Sequence, residues 1–267
     1  MFTIIWNTIR DRKITLIVYC VAAVAFVWMF VAMFPTIQDQ AENFSKMMEN
    51  YPQGFLKAFG IEDVGFDTVE KFLAMENYSI MWPIMVMFMM VSIAGFSLAK
   101  EIEKGTAEIL LSRPVSRLKL YFARYFAGIL ILIIFTFVSV FCVVPLAHLH
   151  NIDYNIDSYV AIAILSFLFG WAVFSMAYMF SAMFSEKGRA YAAAGGVLVL
   201  MYVLNLVASL KENWENLRYA SFFYYYDFNK ALDQAQIDWL PVVVFASVAV
   251  ICTAVGAIWF YKRDIAI

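Results

Sequence analysis

Charge is what this sequence has least of. Only 15% of its 267 residues are Asp, Glu, Lys or Arg, while 64% are hydrophobic and 18% aromatic. A soluble domain draws about a quarter of its residues from the charged set, so the composition excludes one and specifies an integral membrane protein. Cysteine occurs three times and histidine twice. Cys20, Cys142 and Cys252 each sit inside an apolar run, which leaves no disulfide framework and no zinc spacing. His148 and His150 form a His-x-His pair, but on a helix the two point apart and a third ligand would have to come from the acidic loops, so they are expected as interfacial residues. No Gly-x-x-x-x-Gly-Lys-Ser/Thr loop is present, which excludes the usual way of binding ATP. No Ser/His/Asp set, metal-ligand cluster or pair of intramembrane carboxylates can be assembled. The chain is therefore expected to be a non-catalytic membrane subunit, with no catalytic, cofactor-binding or metal residues and no nucleic-acid partner.

What is there in quantity is long apolar sequence. Six stretches, near 14–36, 77–99, 125–147, 158–184, 190–210 and 239–261, each supply the roughly 20 residues that cross a hydrocarbon core. The fold class read from them is an all-α, six-span integral membrane domain over 1–267. Both termini then lie on one side. The segments 1–13, 100–124, 186–189 and 262–267 carry 13 Lys/Arg and 6 Asp/Glu, a balance of +7. The alternate segments 39–76, 153–157 and 211–238 carry 6 Lys/Arg and 15 Asp/Glu, a balance of −9. The positive-inside rule makes the first set cytoplasmic. Residues 1–13 put Phe2, Ile5, Trp6 and Ile9 on one face before Arg10, Arg12 and Lys13, and are expected as an uncleaved helix lying in the interface.

None of the six runs holds an ionisable Asp, Glu, Lys or Arg. A group of that kind at depth costs about 2.5–3.5 kcal/mol or more and usually marks an ion-coupled carrier, so energy for any active transport must enter from outside the chain. The densest charge lies in 100–124, KEIEKGTAEILLSRPVSRLKLYFAR. Gly105 allows a turn, Thr106 can cap a helix and Glu108 lies near its N-terminus. Ala107, Leu110 and Leu111 make an apolar ridge, and Pro114 ends the short helix after Arg113. Ser116 can cap the next helix, which carries Arg117. Such a helix suits docking into a groove of a soluble partner; an ordinary basic loop fits these features equally well.

The run GTAEILLSRPVSR, preceded by Glu101 and Glu103, resembles the loop after the second span in permease subunits of ABC exporters of the ABC-2-like class. SEKGR at 185–189 is similar to that family's second cytoplasmic turn, with Glu186, Lys187 and Arg189. The Lys57 to Gly60 segment and YKRDI at 261–265 are similar to other parts of the class. SFFYYYDFNKAL at 221–232 resembles the segment before the family's last span, with Phe222 where proline is often found. The resemblance implies a coupling helix between spans 2 and 3. Glu101, Glu103, Gly105, Thr106, Glu108, Leu110, Leu111, Arg113, Pro114 and Arg117 would there meet a cytoplasmic ATPase that holds the ATP and Mg. It also implies a second permease copy or homologous permease, a bacterial cell membrane, and an outer lid containing Phe222, Phe223, Tyr224, Tyr225 and Tyr226. From the residues alone, those aromatics equally suit a belt at the interface. A non-transporting scaffold or sensor subunit is the alternative, and an ion-coupled carrier a weaker one.

Three further expectations come from the residues. Asp67 with Glu70 reads as a capping pair before Phe72 and Leu73. Met81, Met85, Met87, Met89 and Met90 keep to no single helical face and are expected as gap-filling core or lipid contacts. Ala190, Ala192, Ala193, Ala194, Gly195 and Gly196 make a close-contact face for another span or a second copy.

Overall fold

A computed structural model describes residues 1–38, 67–103, 116–210 and 212–263, without the side chains of Glu101, Glu212, Asn213 and Glu215. The described residues are helical and contain no strand. Among the described residues, six helices are long and apolar enough to cross a membrane. The spans are α1 (Phe2–Gln38), α2 (Val69–Ser97), α4 (Arg117–Phe141) continued by α5 (Val143–Leu149), α6 (Ile156–Met183), α7 (Lys187–Leu210) and α10 (Trp239–Lys262). Short α3 (Ala99–Glu103) follows α2, and α8 (Phe222–Tyr225) and α9 (Phe228–Asp233) precede α10.

Proline accounts for two irregularities. Pro83 offers no N–H to Ser79 and its ring would press on that carbonyl. The chain answers by widening to a π-helix over Ala74–Met81, where Trp82 N–H bonds to Asn77 O, five residues back. Pro145 would likewise press on the carbonyl of Phe141, and the helix breaks at Cys142 between α4 and α5.

Helix α6 is the centre of the bundle, packing against α10, α2, α4, α7 and α9. Its serines tie it to neighbours in turn. Ser166 Oγ meets Tyr226 Oη at 2.9 Å, Ser175 Oγ meets Tyr125 Oη at 2.8 Å, and Ser181 Oγ accepts from Ala99 N at 3.1 Å. Ser175 also donates to Trp171 O in its own helix at 2.7 Å, and each of the three serines joins α6 to a neighbouring element. The outward faces are apolar, with Ile14, Val21, Phe88, Phe137, Val199 and Ile258 all exposed, as lipid-facing surface must be.

Three sequence expectations are corrected. The separate interfacial helix over 1–13 is absent, because α1 runs unbroken from Phe2 to Gln38, about 55 Å at 1.5 Å per residue. The second helical span begins at Val69, not near 77, which brings Glu70 and Glu76 into the helix. Its cap is Thr68, whose hydroxyl accepts from Lys71 N. Asp67 instead pairs with the Lys71 ammonium at 3.3 Å, and Glu70 turns inward to accept from Asn155 N at 2.7 Å.

Candidate functional site

At one end of the bundle the described residues gather Arg12, Phe96, Lys100, Glu103, Arg117, Arg124, Lys187 and Arg263. Helix α3 carries Glu103 toward the start of α7, where its Oε2 accepts from Lys187 N at 3.0 Å. That bond satisfies one of the helix's orphan N–H groups with a carboxylate placed where the helix dipole favours an anion. Ser116 caps α4 through Lys119 N. Next to the cap, Arg117 donates to Arg263 O at 2.6 Å, and further along the helix Arg124 reaches back to Ser97 O at the end of α2. The Arg263 guanidinium donates to Ala182 O at 3.1 Å and to Ser185 Oγ, closing the α6–α7 turn against the end of α10. Partial burial lowers its pKa, but a guanidinium stays charged at any physiological pH. Glu186 and Arg189 form an ion pair at 3.1 Å with both side chains largely in solvent, worth little by itself.

Three cations meet at one ring. Arg12 stacks over Phe96 at 3.7 Å, Lys100 stands at 4.1 Å and Lys187 at 5.6 Å from its centroid. Each such contact is attractive through the ring's negative face. Sequence reasoning singled out neither Phe96 nor Arg12 as a site residue. The available signal was a basic residue near the same end of three spans, but their convergence on one phenyl is set by tertiary packing.

Of the coupling residues read from sequence, Glu103, Arg117, Glu186, Lys187 and Arg189 lie at this end. Glu103 and Lys187 are in direct contact, and Arg117 joins through Arg263. Gly105, Thr106, Glu108, Leu110, Leu111, Arg113 and Pro114, with the side chain of Glu101, lie outside the described residues, as does the Lys57 to Gly60 segment.

At the opposite end, 221–232 folds inward. Ser221 Oγ caps α8 by accepting from Phe223 N, and Asp227 caps α9 through Lys230 N. Phe222, Tyr226, Phe228 and Leu232 are buried, while Phe223, Tyr224 and Tyr225 are half-buried. Tyr226 stacks on Trp82 at 6.2 Å and packs on Phe169 at 4.9 Å. The segment thus forms an aromatic plug among α2, α6 and α10, which departs from a belt facing lipid. Lys230 donates to Asp238 at 2.6 Å, and that carboxylate raises the ammonium's pKa.

His148 and His150 belong to the α5 terminus, and among the described residues no group of three metal-ligating side chains occurs. The methionines part company. Met89 and Met90 are core, Met81 is exposed, and Met87 alone of the five lines a cleft of about 560 Å³ between α2 and α7. In the small-residue stretch Ala190 and Ala194 are buried, whereas a side chain at Gly195 or Gly196 would meet nothing within 4 Å.

No curated protein matches this chain. A family model described as a protein of unknown function, DUF2705, matches residues 29–266, which takes in the C-terminal part of α1 and all five later spans. The chain belongs to that family.

Proposed function

We propose that this chain is the membrane-spanning subunit of an ATP-driven exporter, coupling hydrolysis by a separate cytoplasmic ABC ATPase to export of a hydrophobic or amphipathic substrate across a bacterial cell membrane. The observation that carries this reading is how the flanks of segment 104–115 are anchored. Glu103 on one flank is bonded to the start of α7, and Arg117 on the other to the end of α10, while Arg124 joins α4 to α2. A push on the segment between them reaches four spans together, as a lever requires. The charge asymmetry of +7 against −9 supports a cytoplasmic position for that end. Two permease copies, or this chain with a homologous one, would frame the path, with the aromatic plug as its outer lid.

A pull-down of tagged protein from native membranes tests this, beside a variant with Glu108→Arg and Leu111→Ala. A stoichiometric Walker-motif ATPase that is lost in the variant is the expected result. Absence of any ATPase, under conditions that hold a known complex together, overturns the reading in favour of a scaffold. A carrier has one feature in its favour: Glu70, only 7% exposed, now lies within a helix. Transport that follows an ion gradient without ATP and fails in Glu70→Gln would select it.

A further inference from the structure

Glu70 is buried in the first turn of α2, yet among the described residues no ammonium or guanidinium pairs with it. The neighbouring Lys71 ammonium is turned instead to Asp67 at 3.3 Å and to Asp233 of α9 at 3.6 Å. What the carboxylate has is one donor from elsewhere in the chain, Asn155 N at 2.7 Å, which stands at the N-terminus of α6. Its surroundings pull two ways. The N–H and the helix dipole favour the charge, and burial without a counter-ion opposes it.

An independent observation lies beside it. Tyr159, in the first turn of α6, is fully buried and close enough to Glu70 for the two to interact electrostatically, and its hydroxyl has no hydrogen-bond partner. An orphan hydroxyl at such depth is costly. Its lone pairs are the acceptor that a proton carried by Glu70 would find. The Tyr154 ring stands edge-on to Tyr159 at 6.4 Å, so the chain at 154–155 touches both groups.

We propose that Glu70 is a proton-binding site, reached from the water at the end of the bundle that carries the plug, whose protonation moves its hold from the α5–α6 loop to α6 itself. One proton from that water adds to the carboxylate. The neutral carboxyl then donates to Tyr159 Oη, and the bond from Asn155 N loses its charge assistance, roughly half its strength. The loop is freed to move while α2 and α6 stay joined. The proton returns to the same water and nothing crosses the membrane, so this holds whether or not an ATPase drives the chain.

Other titratable groups surround the site. On α2, Asp67 is paired with Lys71 and Glu76 is exposed, while Asp233 of α9 shares the same lysine. The loop and α6 add Asp153, Tyr154 and Asp157, all exposed, and the α5 terminus adds His148 and His150. Residues 30–38 of α1 hold none. Tyr78 and Cys142 lie deeper, as a phenol and a thiol.

The test holds the full chain in nanodiscs from about pH 4 to about pH 7, the range in which carboxyl and imidazole groups titrate. Difference infrared spectroscopy follows the carboxyl C=O band, and a nitroxide attached at Asp153→Cys through an impermeant maleimide follows the loop. Wild type is expected to gain one carboxyl band on acidification, with a midpoint shared by a rise in nitroxide mobility. Glu70→Gln should abolish that band and give the acid-state mobility at every pH. Tyr159→Phe removes the acceptor, and should shift the shared midpoint to acid by about half to one pH unit while the loop stays held at neutral pH. This second variant keeps the carboxylate and decides the matter if the first fails to fold. A mobility change that persists in Glu70→Gln belongs to an aspartate or histidine and overturns the proposal. So does a band that titrates without the loop, or an unshifted midpoint in Tyr159→Phe.

Discussion

Trp82 is fully buried where the second span, the third span and the aromatic plug meet. Its ring stacks on Tyr226 at an interplanar angle of 13° and lies 5.9 Å from Phe135, and its indole N–H donates to Ser139 Oγ at 2.9 Å. The two kinds of contact differ in weight. Interhelical hydrogen bonds inside membranes average about 0.6 kcal/mol and reach about 1.7, whereas truncating a buried aromatic to Ala costs about 3–5 kcal/mol. Ser139→Ala should therefore lose about 1 kcal/mol, and Trp82→Ala several times that, in unfolding equilibria measured in mixed micelles. Similar losses for the two would mean that the hydrogen bond, not the packing, fixes the plug. The tyrosine run was visible in the sequence as an aromatic element outside the last span. Its inward direction was not, because Tyr226 finds Trp82 and Ser166 only through tertiary packing of helices far apart in the chain.

At Gly95, Gly128, Gly170 and Gly256 a neighbouring side chain occupies the space a Cβ would fill. In α4, Gly128 lies under the Phe174 ring of α6, which itself stacks on Tyr125 at 5.4 Å, so an added Cβ has to displace a buried aromatic pair. Gly128→Val should cost about 1–3 kcal/mol as overpacking. Gly196→Ala in α7 meets open space and should be neutral or stabilising by up to about 1 kcal/mol, the helix-propensity difference. Thermal unfolding of both variants in detergent checks the pair, and an equal cost would contradict the packing described. The six spans were legible because each is a long apolar run. Their ends were less so. The N-terminal amphipathic pattern did not reveal that it continues α1, and the capping pair read at Asp67 and Glu70 did not reveal that the helix it opens runs on into the second span, with Glu70 satisfied by Asn155 N from another loop. Pro145 was in plain view, but breaking at Cys142 depends on the carbonyl its ring would strike.

At the scale of the whole molecule, the charge asymmetry and the bundle's two ends agree on which residues travel together. Arg12, Glu103, Arg117, Lys187 and Arg263 share the basic end, and Lys71, Asn155, Lys230 and Asp233 share the other. The sequence marked 101–117 as one charged stretch between two spans; the bonds that tie Glu103 to α7 and Arg117 to the end of α10 required the fold. The positive-inside rule gives the expected orientation, and two exposed positions test it. Gly188, where an added side chain meets nothing within 4 Å, stands at the basic end, and Asp153 in the α5–α6 loop at the acidic end. The native Cys20, Cys142 and Cys252 lie half-buried inside spans, out of reach of a reagent that does not enter hydrocarbon. A membrane-impermeant maleimide should thus label Asp153→Cys in intact cells and Gly188→Cys only after permeabilisation. The reverse pattern would put segment 104–115 outside, beyond the reach of any cytoplasmic ATPase, and labelling of both from one side would contradict the six-span alternation itself.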